Sequence, residues 1–170
     1  MGFHAVKVAR LGLLMLVVLL AQVSVLGWVA IDGWRWDAFV LVGVCAGLAA
    51  GPQGGATVGF TAGLVADLFV RNTPFGLSAL VYALVGYSAG VAHTAVLRVT
   101  WRFVPLAGFV FSAFGVLLFG VVGSTIGDAH LVRLQLLQTA GVVGILNAAL
   151  APLLLTVTKA TLRVDDRTTV

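Results

Sequence analysis

The sequence predicts an all-α polytopic membrane protein with six transmembrane segments, the second and third of them short. Three observations carry this reading. The chain of 170 residues is 61% hydrophobic and 9% charged, with a mean hydropathy of +1.12. A soluble domain carries about 25% charged residues, so no soluble core needs this much apolar surface. Apolar runs follow one another along the whole chain, separated by short polar loops. Lysine and arginine also sort by loop. Lys7, Arg10, Arg98, Arg102, Lys159, Arg163 and Arg167 fall on the side of the N-terminus, and Arg35, Arg71 and Arg133 on the other. Seven against three places both termini in the cytoplasm. The length fits a single integral membrane domain over residues 1–170.

The first segment is residues 11–31, about 31 Å as a helix, which matches the hydrocarbon core. His4, Lys7 and Arg10 before it look like the start of a signal peptide. Its length and the segments that follow favour an uncleaved anchor. The loop from Asp32 to Asp37 carries Trp34 and Trp36, which fit an interfacial aromatic belt. Segments 38–51 and 56–70 come next, each only about 21–23 Å long. The breaker cluster Gly51-Pro-Gln-Gly-Gly55 separates them. They are either two short spans or a hairpin that enters and returns; both have the same parity. Arg71-Asn-Thr-Pro74 is a turn, in which Thr73 caps the next helix and Pro74 takes its first position. The remaining segments are 74–97, 104–126 and 136–158, and 159–170 is a polar cytoplasmic tail.

Glycines recur every four residues at Gly43, Gly47, Gly51, Gly55, Gly59 and Gly63, and again at Gly86 and Gly90. That spacing keeps them near one helical face, where backbones can approach closely in lipid. The contact is either within the chain or with a partner helix. Asp67 is the only acidic residue outside the assigned loops and tail, and the chain has no glutamate. Arg71 follows one turn later, in the favourable acid-before-base order. An ion pair with Arg71 or a helix-terminus contact that fixes the third and fourth helices is the first reading, and a partner or ligand contact the second. A proton relay needs a chain of titratable groups, and no other carboxylate is assigned to a membrane segment. Tyr82 and Gly86 share a face, Tyr87 and Ser88 lie on neighbouring faces, and His93 nears the cytoplasmic end. Gln22 and Asn147 read as bonds between helices, and Cys45, the single cysteine, as a packing residue.

No catalytic constellation and no phosphate-binding loop appears. His4, His93 and His130 are scattered over different loops and membrane sides, which argues against a metal site. The expectation is therefore a non-enzyme with no cofactor and no metal. The cytoplasmic arginines are too few and dispersed for a nucleic-acid surface, so the lipid bilayer is the expected environment.

Residues 59 to 90, "GFTAGLVADLFVRNTPFGLSALVYALVGYSAG", resemble the central signature of the MreD family of rod shape-determining membrane proteins. The matching positions are Gly59, Phe60, Gly63, Leu64 and Asp67, then Phe75 and Gly76 after Pro74, then Tyr82, Gly86, Tyr87 and Gly90. The resemblance implies a non-enzymatic scaffold in the bacterial inner membrane that supports peptidoglycan synthesis and rod shape. It implies MreC as a direct partner, with RodA, a class B penicillin-binding transpeptidase and, in many rods, MreB in the larger complex. It also implies a bundle similar to the S components of energy-coupling-factor vitamin transporters. That similarity keeps a second function open, a small-molecule-binding S component. The Ala-x-x-x-Ala spacing expected on its first helix is found only at Ala5 and Ala9, with Lys7 between them and ahead of the membrane segment.

Overall fold

The computed structural model describes residues 2–24, 30–31, 34–35, 37–69, 75–95, 101–125 and 134–162. Helix α1 is Gly2–Ser24, α2 Ala38–Phe69, α3 Leu77–Ala95, α4 Val104–Thr125 and α5 Leu134–Leu162. A minimal antiparallel pair, β1 (Ala30–Ile31) and β2 (Trp34–Arg35), lies between α1 and α2, with Ala30 opposite Arg35 and Ile31 opposite Trp34. A single 3-10 turn, Trp101–Phe103, leads into α4. Helices α2 to α5 are each long and apolar enough to cross a membrane. The architecture is that of an α-helical membrane protein.

Several boundaries differ from the sequence reading. Among the described residues, five helices and four candidate spans stand where the sequence reading has six segments. In the first segment the described helix is Gly2–Ser24, and Ala30–Ile31 at the segment's far end is extended. The fourth starts at Leu77 rather than Pro74, because Phe75 and Gly76 form a turn in which Gly76 has φ +96°. The last helix runs to Leu162, so the start of the supposed tail is helical. Pro152 sits inside it.

Segments 38–51 and 56–70 form the single element α2, broken at Gly51, where φ is 78° and ψ −173°. That backbone conformation is essentially open only to glycine. Pro52 follows at the start of the second arm, where a missing amide costs nothing. The break reverses the chain. A Cβ built on Gly55 would lie 2.7 Å from the Cα of Gly47, and one on Gly43 would lie 3.1 Å from the Cα of Gly59. An unbroken helix would hold these pairs about 12 and 24 Å apart along its axis. α2 is thus a hairpin of two antiparallel arms, 38–50 and 52–69.

The first arm is the centre of the molecule. Every residue from Ala38 to Leu48 is buried. Of the five largest fully enclosed side chains, Phe39, Leu41, Val42 and Val44 come from it and Leu155 from α5. The outward faces of α1, α4 and α5 carry Leu13, Leu16, Val17 and Leu20, then Leu106, Val110 and Val121, then Leu137, Ile145 and Leu153. These are the apolar surfaces a helix presents to lipid.

Candidate functional site: a glycine seam and two capping carboxylates

The two arms of α2 form a groove into which α3 packs backbone to backbone. A Cβ on Gly59 would lie 2.2 Å from the carbonyl oxygen of Tyr82, and one on Gly63 would lie 2.4 Å from the Cα of Ala79. Gly86 reciprocates, with the carbonyl oxygens of Gly55 and Gly43 at 2.3 and 3.0 Å from its would-be Cβ. Gly90 meets the hairpin tip, 2.5 Å from Gly51 C and Pro52 Cα. Real Cβ atoms do not approach backbone this closely, so each position is glycine because the helices touch there. The four-residue spacing is what aligns them on one face. The glycine contacts are therefore within the chain.

Asp67 closes this unit at one end. Its side chain is 7% exposed. The backbone amides of Gly76, Ser78 and Ala79 donate to its carboxylate at 2.9, 3.3 and 3.4 Å. The first amides of a helix have no intrahelical acceptor, and the helix dipole favours an anion there. The charge at the end of α2 is thus the cap of α3. This is a helix-terminus contact, one of the two forms the sequence reading gave it. Arg71, Thr73 and Pro74 lie outside the described residues, as does any Asp67–Arg71 contact. The cap is reached because Gly76, in its left-handed conformation, folds the turn back over the end of α2. Leu80 N then donates to Gly76 O at 3.0 Å, the first bond of α3.

A second embedded carboxylate was not legible as such. Asp37 closes the loop that the sequence reading left at the membrane surface, yet it is 7% exposed. It caps α2: the Phe39 amide donates to Oδ1 at 2.9 Å. Its Oδ2 accepts the hydroxyl of Tyr82 from α3. Its backbone carbonyl accepts from Asn147 Nδ2 of α5 at 3.2 Å, and the same amide group donates to Ser112 Oγ of α4 at 2.9 Å. Gln22 of α1 accepts the Ala38 amide at 3.0 Å. One buried polar network thus ties all five helices together at the start of α2. Among the described residues Asp37 is thus buried as deeply as Asp67. Aspartate directly before an apolar run is the signal, since that is where a helix cap belongs.

The hairpin puts both carboxylates at the same end of the unit, since the arms are antiparallel and Asp37 precedes one while Asp67 ends the other. In each case amide donors at a helix start stabilise the anion.

The remaining motif residues divide by exposure. Tyr82 is buried in the network, whereas Phe60, Phe75 and Tyr87 are 47%, 67% and 49% exposed. Cys45 is buried, with its thiol directed to the Ala151 carbonyl at 3.9 Å. Among the described residues, Ser78 Oγ and Thr158 Oγ1 are buried without a hydrogen-bond partner, and no three His, Cys, Asp or Glu side chains gather as a metal site. No family model, no curated protein and no solved structure matches the chain.

Proposed function

We propose that this protein is a non-enzymatic scaffold of the bacterial cell-wall elongation machinery, resembling MreD, and that it binds MreC through its membrane helices. The observation that carries the proposal is how the residues of the 59–90 motif are used. Gly59, Gly63, Gly86 and Gly90 make one backbone-packed unit, Asp67 caps it and Tyr82 anchors it. Phe60, Phe75 and Tyr87, at motif positions too, do not serve that core and face outward. A motif that builds a rigid unit and leaves aromatic rings on its surface suits a binding scaffold, because aromatic side chains supply much of the contact energy at interfaces.

On this reading the chain lies in the inner membrane with both termini cytoplasmic, as the seven-to-three sorting of basic residues favours. The two arms of α2 then count as the second and third of six passes. Asp37 and Asp67 fall at the outer end, and the Gly51 tip at the cytoplasmic end. RodA and the transpeptidase join through the same complex.

The test is recovery of MreC with the tagged chain from membranes. Phe60→Ala together with Tyr87→Ala is expected to lower that recovery while the amount of folded protein holds. Unchanged recovery removes the aromatic surface from the account. A vitamin retained at near one per chain, with no MreC, selects the S-component reading instead.

A further inference from the structure

The contacts between helices are of two kinds, and they divide the molecule. Within the α2 hairpin and α3, backbone meets backbone at Gly47, Gly55, Gly59, Gly63, Gly86 and Gly90. Helices that touch at their main chains have no side-chain layer to shear, so these three rods form one body. α4 and α5 form another. A Cβ on Gly108 would lie 2.7 Å from Ala151 Cβ and 3.3 Å from Asn147 O. One on Gly144 would lie 2.8 Å from the ring of Phe109 and 3.2 Å from its carbonyl oxygen.

Between the two bodies the contact changes character. Gly115 of α4 faces the ends of two side chains, Val40 Cγ2 and Val85 Cγ2, at 3.0 and 3.3 Å from its would-be Cβ. Cys45 meets Ala151 through a long thiol contact of 3.9 Å. A short directional bond across this seam is that of Asn147, whose amide joins the Asp37 carbonyl of one body to the Ser112 hydroxyl of the other. Methyl groups on a packed surface can slide by rotamer changes, whereas a hydrogen bond of fixed geometry holds one register.

We infer that the protein is built to move as two rigid bodies, the α2 hairpin with α3 and the α4–α5 pair, along a side-chain seam pinned by Asn147. The pin sits at the start of the central arm, at the same end as both carboxylates. Loss of the pin lets the bodies shear while each keeps its own packing. This holds whatever the partner is, and it stands or falls apart from the scaffold reading.

The test uses spin labels on the full chain in nanodiscs, with Cys45 left in place because it is buried. Labels go on exposed positions: Phe60→Cys and Leu84→Cys in the first body, Phe114→Cys and Ile145→Cys in the second. The within-body pairs are 60–84 and 114–145; the between-body pairs are 60–114 and 84–145. Asn147→Ala is expected to broaden the between-body distance distributions and leave the within-body ones unchanged. Ser112→Ala, which removes one hydroxyl and keeps the Asp37 contact, is expected to do the same to a smaller degree. If all four distributions broaden in both variants, the bundle yields as one body and the inference fails. If none broadens in either, Asn147 pins nothing and the inference also fails.

Discussion

Asp67 shows how a residue's burial can be legible in a sequence while the particular amides it binds are not. The sequence marks it as an embedded charge at the end of an apolar run, and it is buried there. The sequence offers Arg71 as the local partner; the structure supplies the amides of Gly76, Ser78 and Ala79, which only the folded turn brings close. Asp67→Ala leaves two buried donors and one part-buried donor without their acceptor and is expected to cost about 1–3 kcal/mol of stability. Asp67→Asn keeps an acceptor and is expected to cost less. Unfolding in mixed micelles measures both, and equal losses contradict the capping role. Tyr82→Phe deletes the donor to Asp37 and is expected to cost about 1 kcal/mol by the same measurement. Asp37 was hidden because a polar residue beside two tryptophans reads as interfacial. Its burial follows from Gln22, Tyr82 and Asn147 converging on it from three other helices, a meeting no local spacing encodes.

At the scale of elements, glycine periodicity was the most legible feature. A four-residue repeat fixes a face, and that face is where α2 and α3 touch. The chain reversal was legible, because Gly51-Pro52 must interrupt a helix and both alternatives for 38–70 turn back there. The start of α3 was not, since hydropathy registers apolar residues and not the Phe75–Gly76 turn that precedes the helix. Glycines separate into two classes here, and substitution distinguishes them. Gly59→Ala and Gly86→Ala drive a methyl group into a carbonyl oxygen and are expected to cost about 1–3 kcal/mol or more. Gly12→Ala and Gly141→Ala meet nothing within 4 Å and are expected to be neutral or stabilising by up to about 1 kcal/mol. Thermal stability of the four variants in detergent checks this, and a Gly141→Ala loss as large as that of Gly59→Ala would contradict the seam.

For the whole molecule, composition alone announces a membrane protein, and four helices of spanning length and apolarity agree with it. The bundle's central element is less predictable. A first arm enclosed on every side has to be apolar all round, so it shows no amphipathic stripe that would reveal its neighbours. The proposed function rests on the 59–90 resemblance and on the division of its residues between a packed core and an exposed aromatic surface. The most direct measurement of that claim is an unbiased one. The tagged chain is purified from the membranes of its own host under mild detergent, and bound proteins and small molecules are identified by mass spectrometry. The account predicts MreC as the dominant partner, with the elongation transpeptidase beside it. Recovery of transporter ATPases with one vitamin per chain, or of no elongation protein at all, would contradict it.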